Sequence, residues 1–217
     1  AILRALGAKA ERCGAAVVVD AAGLTETTVP AALAARMRSS VLFAGALLSV
    51  GGSVKIPLPG GCPLGKRPID LHILALQTLG AQVAVGRHFA ECRAEAPHGG
   101  RIRLPFASVG ATENAILAAV GCDGETVIEN AAREPEIGDL VRFLRAAGAQ
   151  LEQNGGEISI QGGAPLHGAT FTILPDRIET ATYLCAAAAC GGDVTLRRTD
   201  GRTLEPVLDV LRASGCE

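Results

Sequence analysis

Residues 140–160 read LVRFLRAAGAQLEQNGGEISI, and the spacing of the apolar residues changes in the middle of this stretch. Leu140, Phe143 and Leu144 are spaced as on one face of a helix. Gly148 follows as a typical stop, because glycine adopts positive φ without strain just past a helix end. Beyond it the alternation has a period of two and is interrupted by an Asn-Gly pair, which is typical of a hairpin turn. The stretch therefore predicts a helix followed by a β-hairpin.

The same pattern recurs about every 70 residues. Amphipathic segments end at glycines 7, 80, 148 and 215, and hairpin-like alternation also follows at residues 9–19 and 82–92. Each unit is predicted to contain a second, more apolar helix and then a β-branched strand: helices 37–50, 111–120 and 179–189, and strands 53–56, 126–128 and 194–196. Such a repeat, reading strand, helix, strand, helix, strand, strand, predicts an α/β fold in which the helices share a buried core and the sheets face outward.

Composition excludes several classes of protein. The chain of 217 residues is 48% hydrophobic and 19% charged, which suits a packed core rather than disorder. A net charge of -2 and an aromatic content of 3% count against nucleic acid as a partner. The longest apolar stretch, 41–50, is too short to span a bilayer, and no signal-peptide pattern is present. No membrane association is therefore expected.

The seven cysteines are scattered, and none forms a Cys-x-x-Cys pair. This pattern favours a reducing, cytoplasmic compartment over a disulfide framework or a zinc site. The four histidines have no ligand spacing, so no metal is expected. No glycine-rich spot follows a strand and opens a helix in dinucleotide-binding register, so no cofactor is expected. Cys185 and Cys190 fall in an alanine-rich helical stretch and are predicted to be core residues.

The most unusual stretch is 57–68, PLPGGCPLGKRP, with four prolines and three glycines. A loop this constrained presents its side chains at defined positions. Cys62 lies in it beside Lys66 and Arg67, and nearby cations lower the pKa of a thiol. Local chemistry alone leaves open whether Cys62 is a reactive thiol or a small cysteine packed in a turn.

Three further residues are candidates for binding an anion. Arg38 and Arg67 carry the planar guanidinium that pairs with phosphate or carboxylate, although a solvated surface arginine is the alternative for Arg38. Ser108 opens a predicted helix whose free amide groups could hold a phosphate, or it could simply cap that helix.

Four blocks of sequence, 58–72, 108–114, 126–137 and 174–180, together resemble the UDP-N-acetylglucosamine 1-carboxyvinyltransferases, a family of enolpyruvyl transferases. The resemblance implies an inside-out α/β barrel, with three repeated units in each of two similar domains and the active site between them. It implies that residues 1–165 form a first domain lacking its earliest strand and helix. Residues 166–217 would form the first unit of a second domain, whose remainder would be the missing partner of this chain.

The resemblance also implies an activity. Enolpyruvyl would pass from phosphoenolpyruvate to the 3-hydroxyl of UDP-N-acetylglucosamine with release of phosphate, in the cytoplasm and without a cofactor. This is the committed step of peptidoglycan synthesis and hence of cell-wall biogenesis, cell shape and cell division. By the same resemblance Cys62 is the general acid, able to bond to the pyruvyl carbon, and the target of fosfomycin. The implied substrate-binding residues are Arg38, Arg67, Pro68, Ile69, Asp70, Leu71, Ser108 and Val109.

The chain departs from the family pattern in several places. Phe106 stands where members often carry a lysine, and Lys66 where a small residue is common. The family's amino-terminal Lys-Asn pair would precede Ala1, and its catalytic aspartate and further arginines would follow Glu217. The chain by itself is therefore expected to be inactive. Two alternatives are a non-catalytic UDP-sugar-binding fragment and the related 3-phosphoshikimate 1-carboxyvinyltransferase, which lacks the Gly-Gly-Cys loop.

Overall fold

The computed structural model describes residues 1–58 and 68–217, so Cys62, Lys66 and Arg67 lie outside the described residues. The chain divides into two compact units, Ala1–Ala169 and Thr170–Glu217. This division falls in the Gly- and Pro-containing segment 162–174. The domain assignment that the resemblance implies, with a boundary between 165 and 166, stays a prediction.

The larger unit alternates short helices and strands. Its helices are α1 (Ile2–Ala5), α2 (Ala31–Ala34), α3 (Phe43–Gly51), α4 (Asp70–Thr78), α5 (Val109–Val120) and α6 (Pro135–Ala146), with a 3-10 helix at Arg38–Leu42. Its strands are β1 (Lys9–Cys13), β2 (Ala16–Asp20), β3 (Ser53–Pro57), β4 (Gln82–Val85), β5 (Phe89–Arg93), β6 (Arg101–Arg103), β7 (Gly124–Glu129), β8 (Gln150–Asn154) and β9 (Glu157–Gly162). The smaller unit contains α7 (Arg177–Cys190), a 3-10 helix at Gly201–Thr203 and α8 (Glu205–Ala213).

Strand pairing repeats along the chain, as the sequence predicts. In the four-stranded sheet β6-β7-β9-β8, β6 is parallel to β7 and the other neighbours are antiparallel. The sheet β3-β5-β4 has the same antiparallel pairs, and a parallel bridge between Thr28 and Lys55 takes the place of the β6–β7 pair. The hairpin β1–β2 is a further copy of the β8–β9 hairpin.

The helices form the inside of the larger unit. Eight of the twelve residues of α5 are buried, and α5 packs on both α3 and α4. Strands cover this helical layer with alternate side chains: Ile158 and Ile160 of β9 are buried, whereas their neighbours are not. Buried helices under outward-facing sheets are the inside-out α/β arrangement that the repeat predicts.

Three predictions fail in detail. The predicted helix 37–50 is a 3-10 helix followed by α3. The predicted strand 194–196 is wrong, because a strand needs a hydrogen-bonded neighbour and residues 170–217 contain no strand. Cys185 and Cys190 are exposed rather than core, since Thr180 is the one buried residue of α7. Among the described residues, no helix is long and apolar enough to cross a membrane.

Candidate functional site

Three chain segments converge where the sequence predicts substrate binding. Arg38 opens the 3-10 helix, Pro68 and Ile69 lead into α4, and Ser108 precedes α5. The Arg38 guanidinium donates a hydrogen bond from Nη2 to the Pro68 carbonyl oxygen at 3.0 Å. This contact joins the 3-10 helix to the residues that lead into α4.

The first turn of α5 has the features of an anion-binding helix end. Ser108 is its N-cap, and its Oγ accepts a hydrogen bond from the Ala111 amide at 3.4 Å. The first amides of a helix have no partner within it, and the helix dipole places positive potential there. The amides of Val109 and Gly110 therefore point out of the helix start, where a phosphate could accept from them.

His72 connects the first turn of α4 to α5. It is buried, and its Nδ1 lies 3.2 Å from Nδ2 of Asn114. The pKa of His72 is lowered from 6.5 to about 4, mainly by burial and also by the Arg38 charge, while the Asp70 charge opposes the shift. The charges of Arg38 and Asp70 thus act on the same imidazole.

The predicted binding residues differ in what they can offer a ligand. Pro68 and Asp70 are exposed, and Ser108 and Val109 are half-buried. Ile69 and Leu71 are each 7% exposed and belong to the core, so their side chains support the turn. At Ile69 and Leu71 the main-chain atoms, rather than the side chains, are therefore the groups that could contact a nucleotide. Phe106, which precedes α5, is 61% exposed. It supplies no cation where members of the family often carry a lysine.

Sequence reasoning missed His72 and Asn114. Both lie at the edges of blocks that carry the family resemblance, but the spacing of histidines indicates only whether they could bind a metal, not whether one forms a buried hydrogen bond. The available signal is that each is a polar residue among apolar ones at a core position of its helix. Thr112, which is also buried, accepts a hydrogen bond from the Ala132 amide at 3.0 Å and ties α5 to the loop after β7.

Two of the described cysteines, Cys92 and Cys122, are buried. Burial raises the pKa of Cys92 to about 11, with a smaller effect from Glu91. Burial likewise raises the pKa of Cys122 to about 11, with a smaller effect from Asp123. Neither thiol is a nucleophile near neutral pH, because the thiolate is the reactive form.

Comparison with known proteins places this geometry in a family. The family model of EPSP synthase (3-phosphoshikimate 1-carboxyvinyltransferase) matches residues 1–217, the whole chain. The chain belongs to the EPSP synthase family. A curated member from Novosphingobium aromaticivorans, named UDP-N-acetylglucosamine 1-carboxyvinyltransferase, is 45% identical over 214 residues. The match covers 96% of this chain and 50% of that relative, so the chain spans about half the length of the relative.

Two solved enzyme structures share the fold. The enolpyruvyl transferase NikO from Streptomyces tendae superposes with a TM-score of 0.79 at 24% identity, covering 99% of this chain and 52% of that one. EPSP synthase from Acinetobacter baumannii gives a TM-score of 0.70 at 23% identity, covering 98% and 49%. These likenesses establish the inside-out α/β barrel fold of the family for this chain.

Proposed function

We propose that the protein carrying this chain transfers enolpyruvyl from phosphoenolpyruvate to the 3-hydroxyl of UDP-N-acetylglucosamine. The observation that carries the proposal is the 45% identity, along 96% of the chain, to a relative with that name. The reaction would belong to peptidoglycan synthesis and take place in the cytoplasm, which the scattered cysteines favour. No cofactor enters this proposal.

The convergence of Arg38, residues 68–71 at the start of α4 and the first turn of α5 supports a nucleotide-sugar site. Arg38 supplies positive charge, the turn supplies main-chain groups and the Asp70 carboxylate for the uridine, and Ser108 and Val109 lie where the diphosphate would bind. Arg67, outside the described residues, is proposed to contact the same nucleotide. Cys62 is proposed as the general acid because the family resemblance implies it, and the neighbouring cations in the sequence support a reactive thiol at this position.

The alternative acceptor is 3-phosphoshikimate, which the name of the family model suggests. The two acceptors are distinguished by measuring phosphate release from phosphoenolpyruvate with the full gene product that carries this chain. Release that depends on UDP-N-acetylglucosamine, and not on 3-phosphoshikimate, is expected. The reverse dependence would contradict the proposal.

The role of Cys62 has its own control. In a Cys62→Ser variant of the same gene product, UDP-N-acetylglucosamine should still bind while phosphate release and alkylation by fosfomycin are lost. A Cys122→Ser variant should retain both, because Cys122 is buried and its pKa is raised. Unchanged alkylation of Cys62→Ser would assign the reactive thiol elsewhere.

A further inference from the structure

A chain of hydrogen bonds of fixed direction runs from α3 to α4 through Asn114 of α5. The Gly45 amide nitrogen lies 2.8 Å from Oδ1 of Asn114, and Nδ2 of Asn114 lies 3.2 Å from Nδ1 of His72. A main-chain N–H can only donate, so the atom of Asn114 facing Gly45 must be the carbonyl oxygen. The amide nitrogen then faces His72 and can only donate. Nδ1 of His72 is therefore an acceptor.

An imidazole that accepts at Nδ1 carries its proton on Nε2 when it is neutral. His72 stays neutral because it is 6% exposed and lies near the positive charge of Arg38. The surroundings of the ring thus select one of its tautomers, the Nε2–H form.

The Nε2 side of the ring faces the start of α5. A Cβ built on Gly110 would lie 3.5 Å from Nε2 and 3.3 Å from Cε1, so the ring packs against the second residue of that helix. Among the residues that the structure describes, Nε2 has no hydrogen-bond partner. A donor on a side chain that is more than nine-tenths buried is thus directed at a helix N-terminus.

We propose that Asn114 is a positioning residue that holds His72 in its Nε2–H tautomer, so that His72 donates a hydrogen bond to an anionic oxygen bound at the first turn of α5. Identifying that oxygen as one of the nucleotide-sugar diphosphate rests on the proposed function. The Gly45 N–H orients the side-chain amide of Asn114, and Gly110, which has no side chain, leaves room for the imidazole ring of His72.

The tautomer is measured directly from the imidazole nitrogen resonances of the isotopically labelled chain. His72 should give the Nε2–H pattern without titrating between about pH 5 and 8, in contrast to an ordinary histidine. His98 and His167 serve as internal references for the opposite tautomer, Nδ1–H. Nδ1 of each lies next to a main-chain carbonyl oxygen, at 2.9 and 3.1 Å, which can only accept a hydrogen bond. In Asn114→Leu the His72 preference should be lost. An Nδ1–H pattern for His72 in the unchanged chain would overturn the proposal.

Whether His72 donates a hydrogen bond to the bound anion is tested by ligand binding, with a matched pair of variants of the full gene product. His72→Asn keeps an acceptor for Asn114, because Oδ1 and Nδ1 are equally many bonds from Cα, but it removes the Nε2 donor. His72→Gln keeps a donor at the Nε2 end. His72→Asn should bind UDP-N-acetylglucosamine about 10- to 100-fold more weakly, whereas His72→Gln should recover most of the affinity. These variants also serve if Asn114→Leu does not fold.

The outcomes separate this inference from the proposed function. Inorganic pyrophosphate is titrated in parallel with UDP-N-acetylglucosamine while the His72 Nε2–H resonance is followed. A shift with pyrophosphate but none with the nucleotide sugar would support the inference and contradict the proposed substrate. No shift with either ligand, or equal affinities of His72→Asn and the unchanged protein, would overturn the inference.

Discussion

At the scale of single residues, two buried threonines differ in what their hydroxyl groups contact. Thr112 accepts a hydrogen bond from the Ala132 amide at 3.0 Å. Thr126 of β7 is fully buried, and in the described part of the chain its Oγ1 has no hydrogen-bond partner. A buried polar atom without a partner destabilises the folded state, because it has lost its hydrogen bonds to water.

Thr126→Val should therefore stabilise the protein, since valine has the same shape without the hydroxyl. We expect a gain of about 1–2 kcal/mol in the free energy of unfolding. Thr112→Val is the control and should lose about 1–3 kcal/mol, because the Ala132 amide is then left without a partner. Urea unfolding of the two variants measures both. Destabilisation by Thr126→Val as large as that by Thr112→Val would mean that the Thr126 hydroxyl has a partner after all.

His72 makes stability depend on pH. Its pKa is about 4 in the folded protein and 6.5 in the reference state, so between these values the unfolded chain binds a proton that the folded chain does not. The stabilisation is fully present above pH 6.5 and is lost as pH falls toward 4, with a total on the order of 3 kcal/mol. Urea unfolding at pH 7 and pH 4.5 should show a smaller loss for His72→Asn than for the unchanged chain. The variant of the exposed His98, His98→Asn, should keep the original loss; equal losses in all three proteins would refute this assignment.

The site could be predicted from the sequence only in part. The sequence suggested Arg38, Asp70 and Ser108 as binding residues, and the structure brings their segments together, although their roles remain proposals. The contact between His72 and Asn114 could not be predicted, because it joins residues 42 positions apart and depends on how α4 packs on α5. The burial of Ile69 and Leu71 depends on the same packing.

At the scale of elements, α3 and α5 approach each other closely at Gly45. A Cβ on Gly45 would lie 2.4 Å from the Asn114 main-chain oxygen and 2.6 Å from its Oδ1. No side chain larger than hydrogen fits between these helices unless one of them moves. The same close approach allows the Gly45 amide to donate to Asn114.

Gly45→Ala should consequently destabilise the protein by about 1–3 kcal/mol, the usual result of overpacking a core. Gly138 in α6 is a matched control, because a Cβ there would meet only the Gln153 side chain, at 3.7 Å. Gly138→Ala should stabilise the helix by about 0.5–1 kcal/mol, since alanine is the better helix former. Thermal unfolding of the two variants compares them, and a Gly45→Ala variant as stable as the unchanged chain would contradict the packing described for α3.

Element types were predictable wherever the period of the apolar residues was clear. The stretch 140–160 alone predicts most of α6 and the hairpin β8–β9, because spacing and turn residues are local properties. The strand expected at 194–196 was not predictable in the same way, because β-branched residues form a strand only beside a partner. The start of the 37–50 helix is 3-10 rather than α, which periodicity does not distinguish over one turn.

At the scale of the whole molecule, apolar residues of two segments are exposed. Val17 and Val19 of β2 are 65% and 44% exposed, whereas Ile158 and Ile160 of β9 are buried. The two pairs hold equivalent positions, because each follows the positive-φ glycine of its hairpin turn, Gly14 or Gly155, by three and five residues. In the smaller unit Tyr183 of α7 is 56% exposed. Exposed apolar surface of this kind favours association.

The 217-residue chain on its own should therefore self-associate as its concentration rises. Val17→Lys together with Val19→Lys should reduce the association, because charge on the β2 hairpin opposes edge-to-edge pairing. Val50→Lys changes an exposed valine at the end of α3 and should have little effect. Light scattering across a concentration series measures the mass, and a strictly monomeric unchanged chain would contradict the prediction.

The central claim is that Arg38, the turn before α4 and the start of α5 form one nucleotide-sugar site. Calorimetric titration of UDP-N-acetylglucosamine into the full gene product tests it, with Arg38→Ala compared against Arg142→Ala. Arg142 is the control because it pairs with Asp139 along the exposed face of α6, at 2.7 Å. We predict that Arg38→Ala weakens binding about 10- to 100-fold and that Arg142→Ala changes it by about twofold at most. Equal dissociation constants for the two variants would contradict the account.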